Sequence, residues 1–203
     1  MNAAAKYARA LYPDTYRVLG RRMAHYTLGH ALLLERLGSP FVTGNAVPGP
    51  GDLKLFLLLC SRSYPRALRL VKLSQVFPTW FRLRMAFFPL AYGLSPLNQV
   101  FEYLRESSSM PTRWEQEGAK APGTPALQQV KLTLMSRLGY GELQALCIPL
   151  AKAFWDFFGL WEMEGKLELA DPEDLAAVRQ VIEEAKAEAR NGHRPTDNPT
   201  TRN

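Results

Sequence analysis

The chain has 203 residues, of which 47% are hydrophobic and 22% are charged, and it carries a net charge of +6 at neutral pH. These values are ordinary for a globular protein of one domain or two small ones. The longest apolar run, residues 55–60, is far shorter than the roughly 20 residues that a membrane-spanning helix needs. No apolar signal region follows the N-terminus, so we expect a cytoplasmic protein without a membrane partner.

The positive charge is concentrated in the first half of the chain. Residues 1–90 contain thirteen Lys/Arg and three Asp/Glu, whereas the remaining residues contain twelve Lys/Arg and sixteen Asp/Glu. This asymmetry indicates either a charged partner or attraction between the two halves. The candidate phosphate contacts are Arg62, Arg66, Arg69 and Lys72. No helix-turn-helix or zinc pattern accompanies them, so the sequence predicts at most weak nucleic-acid binding.

Proline, glycine and capping residues divide the chain into helical segments. Thr27 is a predicted N-cap and Gly38 a predicted C-terminal stop, while Asp52 begins a helix that is apolar on nearly every side and should be buried. A further helix, over about residues 64–73, carries a basic stripe. Because no convincing period-two pattern appears, the predicted class is all-α, a compact bundle of about seven to eight helices.

The predicted organisation has four parts. Residues 1–106 form a basic helical part, residues 107–124 a linker, residues 125–190 an aromatic-rich helical part, and residues 191–203 a disordered tail. Further breaks are expected in the loop from Gly38 to Gly51 and at Pro149, because proline removes a helical donor. Asp171 and Pro172 should begin the last helix.

The segment after Pro149 is unusually rich in aromatic residues. At 3.6 residues per turn, Leu150, Phe154, Phe157 and Trp161 share one side of a helix, and Ala151, Trp155 and Phe158 share the adjacent side. So wide an apolar arc belongs either to a core or to an interface, and both remain open here. The predicted last helix adds a narrow apolar stripe. The candidate partner-binding residues are therefore Phe154, Trp155, Phe158, Trp161, Leu175, Val178 and Ile182.

Sequence signatures of catalysis are absent from the chain. It contains no phosphate-binding glycine loop, dinucleotide fingerprint, zinc-protease motif or nucleophile elbow. Cys60 and Cys147 each lie in an apolar run, which is typical of buried thiols without a disulfide. His25 and His30 are five residues apart and do not match helical metal-ligand spacing. We therefore expect no metal, no cofactor, no catalytic residues and no enzymatic activity.

Two blocks of the sequence resemble small proteins encoded in the tail-gene clusters of phages and prophages. The first comprises residues 28–44 and 51–64, and the second comprises residues 138–169. Positions that match the second pattern are Leu138, Gly139, Glu142, Ala145, Leu146, Pro149, Leu150, Ala153, Trp155, Trp161, Glu162 and Gly165. The resemblance implies a tail-assembly factor, most plausibly a chaperone that holds the helical tape-measure protein while tube subunits polymerise. It leaves open a structural role in the virion tail, and the basic half leaves open a nucleic-acid-binding accessory protein.

Overall fold

The computed structural model describes residues 10, 15–87, 92–111, 124–166 and 169, with only the backbone of Arg84. Over these residues the chain forms nine helices and one short hairpin, which confirms the all-α class. No helix in this part is both long enough and apolar enough to cross a membrane. The elements are β1 (Arg17–Val18), β2 (Arg21–Arg22), α1 (Leu28–Arg36), α2 (Pro40–Thr43), α3 (Pro50–Cys60), α4 (Tyr64–Val76), α5 (Pro78–Ala86), α6 (Leu94–Ser107), α7 (Ala126–Arg137), α8 (Glu142–Cys147) and α9 (Leu150–Met163).

The hairpin is a feature that the sequence analysis missed. Strands β1 and β2 are antiparallel and pair Arg17 with Arg22. Leu19 and Gly20 connect them with φ angles of 51° and 73°, the left-handed pair that two-residue hairpin turns use. Two-residue strands are too short to produce an alternating sequence pattern, and leucine in the first turn position conceals the turn.

Both predicted ends of α1 are confirmed. The Thr27 hydroxyl oxygen accepts a hydrogen bond from the His30 amide, so Thr27 is the N-cap. At the other end, the Gly38 amide donates to the Glu35 carbonyl and the Ser39 amide donates to the Leu34 carbonyl. With φ of 66° at Gly38, this is the Schellman arrangement that ends helices at glycine.

The core is built around α3. Every residue from Phe56 to Cys60 is buried, together with Leu53, which confirms the predicted central helix. Asp52 lies in its first turn and accepts a hydrogen bond from the Gly49 amide, although the helix itself begins two residues earlier, at Pro50. The same hydrophobic cluster receives side chains from both predicted helical parts, including Leu28 and Leu34 from α1, and Val130, Leu134, Phe154 and Phe157 from α7 and α9.

Several predicted boundaries differ from the structure by short stretches. The loop between Gly38 and Gly51 contains the one-turn helix α2, and α4 continues past residue 73 to Val76. The break at Pro149 is confirmed, because α8 ends at Cys147 and α9 begins at Leu150. Most of the predicted linker, the predicted last helix with Leu175, Val178 and Ile182, and the predicted tail lie outside the described residues.

Candidate partner-binding surfaces

The two sequence blocks that carry the family resemblance are bonded to each other. Thr27 and Pro149 form an isolated antiparallel β-bridge. Across it the Leu28 amide donates to the Ile148 carbonyl at 3.1 Å, and the Leu150 amide donates to the Tyr26 carbonyl at 2.8 Å. Pro149 has no amide hydrogen and therefore interrupts the helical hydrogen bonding between α8 and α9. At this interruption the chain pairs with the residues that begin α1. The two blocks are therefore joined directly by backbone hydrogen bonds.

Gly29 permits the close approach of α1 and α8. A Cβ atom at this position would lie 2.6 Å from the Leu146 carbonyl oxygen and 2.6 Å from Cδ2 of Tyr64. Both distances are well inside van der Waals contact, and one of the two obstacles is backbone. Only glycine therefore fits here without displacing α8 or the Tyr64 ring.

His30 is a buried structural residue. Its Nδ1 lies 2.9 Å from the Thr27 hydroxyl, and its Nε2 lies 3.0 Å from the Arg62 carbonyl oxygen. Burial lowers its pKa from 6.5 to about 4, although the hydrogen bond with Arg62 acts in the opposite direction. The ring is therefore neutral at physiological pH and joins the start of α1 to the end of α3. Nothing in this geometry leaves it available as a general base.

The aromatic helix α9 contributes mainly to the core. Phe154 and Phe158 are only 8% and 7% exposed, so neither can contact a partner without rearrangement. Trp155 and Trp161 are half-buried, and the Trp161 ring lies 4.5 Å from the Phe157 ring. Of the partner-binding residues predicted on this helix, the two tryptophans are thus the ones that still offer surface. Their role in binding stays a prediction.

Polar groups fix the outer side of α9. Lys152 Nζ bonds to Asp156 Oδ2 at 2.5 Å, and the Tyr140 hydroxyl lies 3.2 Å from the same oxygen. Burial alone lowers the pKa of Lys152, but the hydrogen bond and charge of Asp156 outweigh it and raise that pKa above its usual value. At the C-terminus, Gly165 adopts φ of 67° and its amide donates to the Glu162 carbonyl. The left-handed glycine and its backbone hydrogen bond therefore end the helix.

The four candidate phosphate contacts do not form one surface. Arg62 is half-buried, and its guanidinium donates to the Leu58 carbonyl, which closes the end of α3. Arg66, Arg69 and Lys72 are exposed along α4. They lie opposite the buried residues Ala67, Leu70 and Val71 of the same helix. Three of the four predicted cations are therefore accessible together.

A row of exposed apolar side chains lies on α4 and α5. We define the α4–α5 face as the exposed basic residues of α4 together with the exposed apolar residues that follow them. The apolar members are 41% to 77% exposed. The face comprises Arg66, Arg69, Lys72, Leu73, Val76, Phe77, Trp80, Leu83 and Phe87.

Helix α5 is held in place by its opposite side. Phe81 and Met85 pack against the core, and Lys54 of α3 donates to the Met85 carbonyl at 3.1 Å. On α5, Trp80, Leu83 and Phe87 recur at helical spacing on the side turned away from Phe81. The sequence analysis did not identify this face, because spacing alone does not show which side of an apolar helix the rest of the fold leaves uncovered. The sequence does contain one sign of an unusual surface in this region, because no Asp or Glu occurs between residues 53 and 101.

A cleft of about 280 Å³ opens beside Thr27 and is lined by residues that include Arg22, His25, Tyr64 and Cys147. Cys147 is a free thiol, and burial raises its pKa, which keeps it protonated and weakly nucleophilic at neutral pH. Within the described ranges, no group of three His, Cys, Asp or Glu side chains is arranged to hold a metal ion. The cleft therefore offers no activated nucleophile.

Comparison with known proteins gives no relative. No family model matches the chain, and neither a curated protein nor a solved structure is significantly similar to it. Any function must therefore be argued from the surfaces described above.

Proposed function

We propose that this protein is a non-enzymatic phage tail-assembly factor of the chaperone type, which binds a helical partner such as the tape-measure protein. The observation that carries the proposal is the α4–α5 face, with six large apolar side chains at least 41% exposed. Contiguous exposed apolar surface on a small protein usually marks an interaction site. The resemblance of residues 28–44, 51–64 and 138–169 to tail-cluster proteins supports this kind of partner.

A helical partner suits the geometry of this face. Leu73, Val76 and Phe77 end α4, and Trp80 begins the exposed row on α5. The Phe77 amide bonds to the Leu73 carbonyl and the Phe81 amide to the Phe77 carbonyl, so the two helices abut directly. Apart from the adjacent pair Val76 and Phe77, successive exposed apolar side chains are therefore three or four residues apart. Amphipathic helices dock against surfaces of this kind through side chains at the same spacing.

Capture of a tail protein tests the proposal. The neighbouring genes should be searched for one that encodes a long helical protein. That protein should be produced together with this chain, and the complex isolated through a tag on that partner. We expect stoichiometric co-purification and a partner that stays soluble longer than when produced alone. A partner that is equally soluble without this chain, and that fails to retain it, refutes a chaperone role. Co-purification with mature virions would instead favour a structural tail component.

Two substitutions in α9 test the partner-binding residues predicted from the sequence. Trp161 packs on Phe157, so Trp161→Ala should reduce folding stability, by about 3 kcal/mol if the site behaves as core. For Trp155, which is half-buried, we expect Trp155→Ala to retain folding and to weaken partner capture. Thermal unfolding and co-purification should be measured on both variants. If both variants lose stability without a specific loss of capture, α9 serves the core alone.

Nucleic-acid binding is the second candidate, favoured by the exposed cations Arg66, Arg69 and Lys72 on one side of α4. Such binding should be weak, independent of sequence, and strongly reduced by salt, because Lys/Arg contacts to phosphate release counterions. Fluorescence anisotropy with a labelled duplex over a range of salt concentrations measures it. A tight, sequence-selective complex at physiological salt would make this the better proposal.

A further inference from the structure

We infer that the α4–α5 face binds an acidic amphipathic helix of a partner protein. The inference rests on the proposed function and deepens it by stating the charge and shape of the partner. Between residues 53 and 101 the chain has seven Lys/Arg and no Asp or Glu. Within the described part, no acidic side chain forms a salt bridge with Arg66, Arg69 or Lys72. A partner that supplies carboxylates would complement this charge.

The order of residues along the face specifies more than its net charge. Arg66, Arg69 and Lys72 occupy the first turns of α4, and the apolar residues begin at Leu73 and continue to Phe87. Among the described side chains that define the face, the cationic ones therefore come before the apolar ones along the chain. A partner helix matches this order when its exposed acidic side chains lie at one end of its apolar stripe.

The same order argues against two other classes of partner. A helix that lies on an anionic bilayer carries its cations on both flanks of the apolar stripe, so that they reach headgroups along its whole length. Among the side chains of α4 and α5 that the structure describes, three of the four exposed cations precede the apolar residues of the face, and Arg82 of α5 is the fourth. Nucleic-acid interfaces are polar and rich in cations, and the aliphatic residues Leu73, Val76 and Leu83 have no role in them.

The dimensions of the face set the length of the partner. At 1.5 Å per residue, α4 from Arg66 to Val76 is about 17 Å long, and α5 together with Phe87 is about 15 Å long. A partner helix of about 20 residues has a length of about 30 Å. A synthetic helical peptide of that length is therefore an adequate probe, and the identity of the natural partner is not needed.

The experiment uses the full chain and four labelled probes. The first is a 20-residue helical peptide with leucines at i, i+3, i+4 and i+7 spacing and glutamates on the polar positions of one half. The second is the same peptide with every glutamate replaced by lysine. The others are vesicles of phosphatidylglycerol and phosphatidylcholine and a 22-nucleotide single strand. Anisotropy and co-sedimentation should show saturable binding of the acidic peptide, at least about tenfold tighter than binding of the lysine peptide.

Substitutions on the face locate the binding site. The double variant Arg69→Glu/Lys72→Glu and the single variant Leu83→Ser should each weaken binding of the acidic peptide about tenfold or more. The matched controls are Arg22→Glu/Arg36→Glu and Leu143→Ser, which change exposed residues elsewhere and should leave binding unchanged. All substituted side chains are exposed, and circular dichroism verifies folding. If Leu83→Ser unfolds, the double variant Arg69→Glu/Lys72→Glu shows by itself whether the peptide binds at this face.

The outcomes separate the inference from the proposed function. Equal binding of both peptides, preference for the vesicles or the oligonucleotide, or equal binding by the face variants and their controls overturns the inference. If the wild-type chain captures the tail protein but the face variants capture it equally well, the inference fails and the chaperone function stands. If the acidic peptide binds at the face but no tail protein is captured, the inference stands and the proposed function fails.

Discussion

Replacing Gly29 with alanine should destabilise the fold, although alanine is normally the better helix former. The added Cβ atom would lie 2.6 Å from the Leu146 carbonyl oxygen and 2.6 Å from Tyr64 Cδ2. Relief of the clash requires α8 to move. That movement strains the hydrogen bonds between Leu28 and Ile148 and between Leu150 and Tyr26.

The expected size of the effect follows from opposing contributions. Overpacking typically costs about 1–3 kcal/mol, and weakening two hydrogen bonds adds about 1 kcal/mol. Helix propensity returns at most about 1 kcal/mol. The net loss should be about 2 kcal/mol, or a fall in melting temperature of about 4–8 °C for a chain of this size.

Urea unfolding followed by circular dichroism measures the change for Gly29→Ala. The matched control is Gly159→Ala in α9, where an added Cβ meets no atom within 4 Å. The control should gain up to about 1 kcal/mol, because alanine limits the unfolded chain and favours the helix. If Gly29→Ala is as stable as the wild type, the close approach of α1 and α8 is not as described, and the steric explanation for glycine at this position is wrong.

Two further predictions follow from buried groups. The pKa of His30 is about 4 in the folded protein and about 6.5 in the unfolded chain. Between these pH values the unfolded state binds more protons than the folded state. The free energy of unfolding should therefore fall as the pH drops from about 6.5 to 4. The loss of unfolding free energy should approach about 3 kcal/mol. Urea unfolding measured at several pH values over this range should detect it. The variant His30→Gln should remove most of the pH dependence. Thiol titration in denaturant without reductant should find both Cys60 and Cys147 as free thiols. In the native protein Cys147 should react first, because Cys60 is fully buried. Equal reaction rates of the two thiols in the native protein would contradict the burial of Cys60.

The sequence was most informative where local chemistry fixes local structure. Thr27, Gly38 and Pro149 mark helix ends through hydrogen bonds and φ angles that depend on a few neighbouring residues. The buried helix α3 was also predictable, because a helix that is apolar nearly all round has no other stable location. The all-α class followed from these signals together.

The candidate site was predicted less well, because exposure depends on packing between distant elements. The aromatic residues of α9 and the apolar residues of α5 are alike in sequence, yet Phe158 is buried and Phe87 is 77% exposed. Likewise, Arg62 and Arg66 are both candidate phosphate contacts by sequence, but Arg62 lies after α3 and donates to the Leu58 carbonyl at the end of that helix. Periodicity identifies a face, and the tertiary fold decides whether another element covers it.

The bridge between Thr27 and Pro149 has a consequence for synthesis of the protein on the ribosome. The start of α1 cannot reach its final hydrogen bonds until roughly 120 further residues have been added, which takes about 6–24 s at 5–20 residues per second. During that interval α1 and α3 have emerged without α7, α8 and α9, which pack against the same core. A nascent chain of this protein therefore exposes an incomplete apolar core, and truncated products that end before residue 149 should be substrates for cellular quality control.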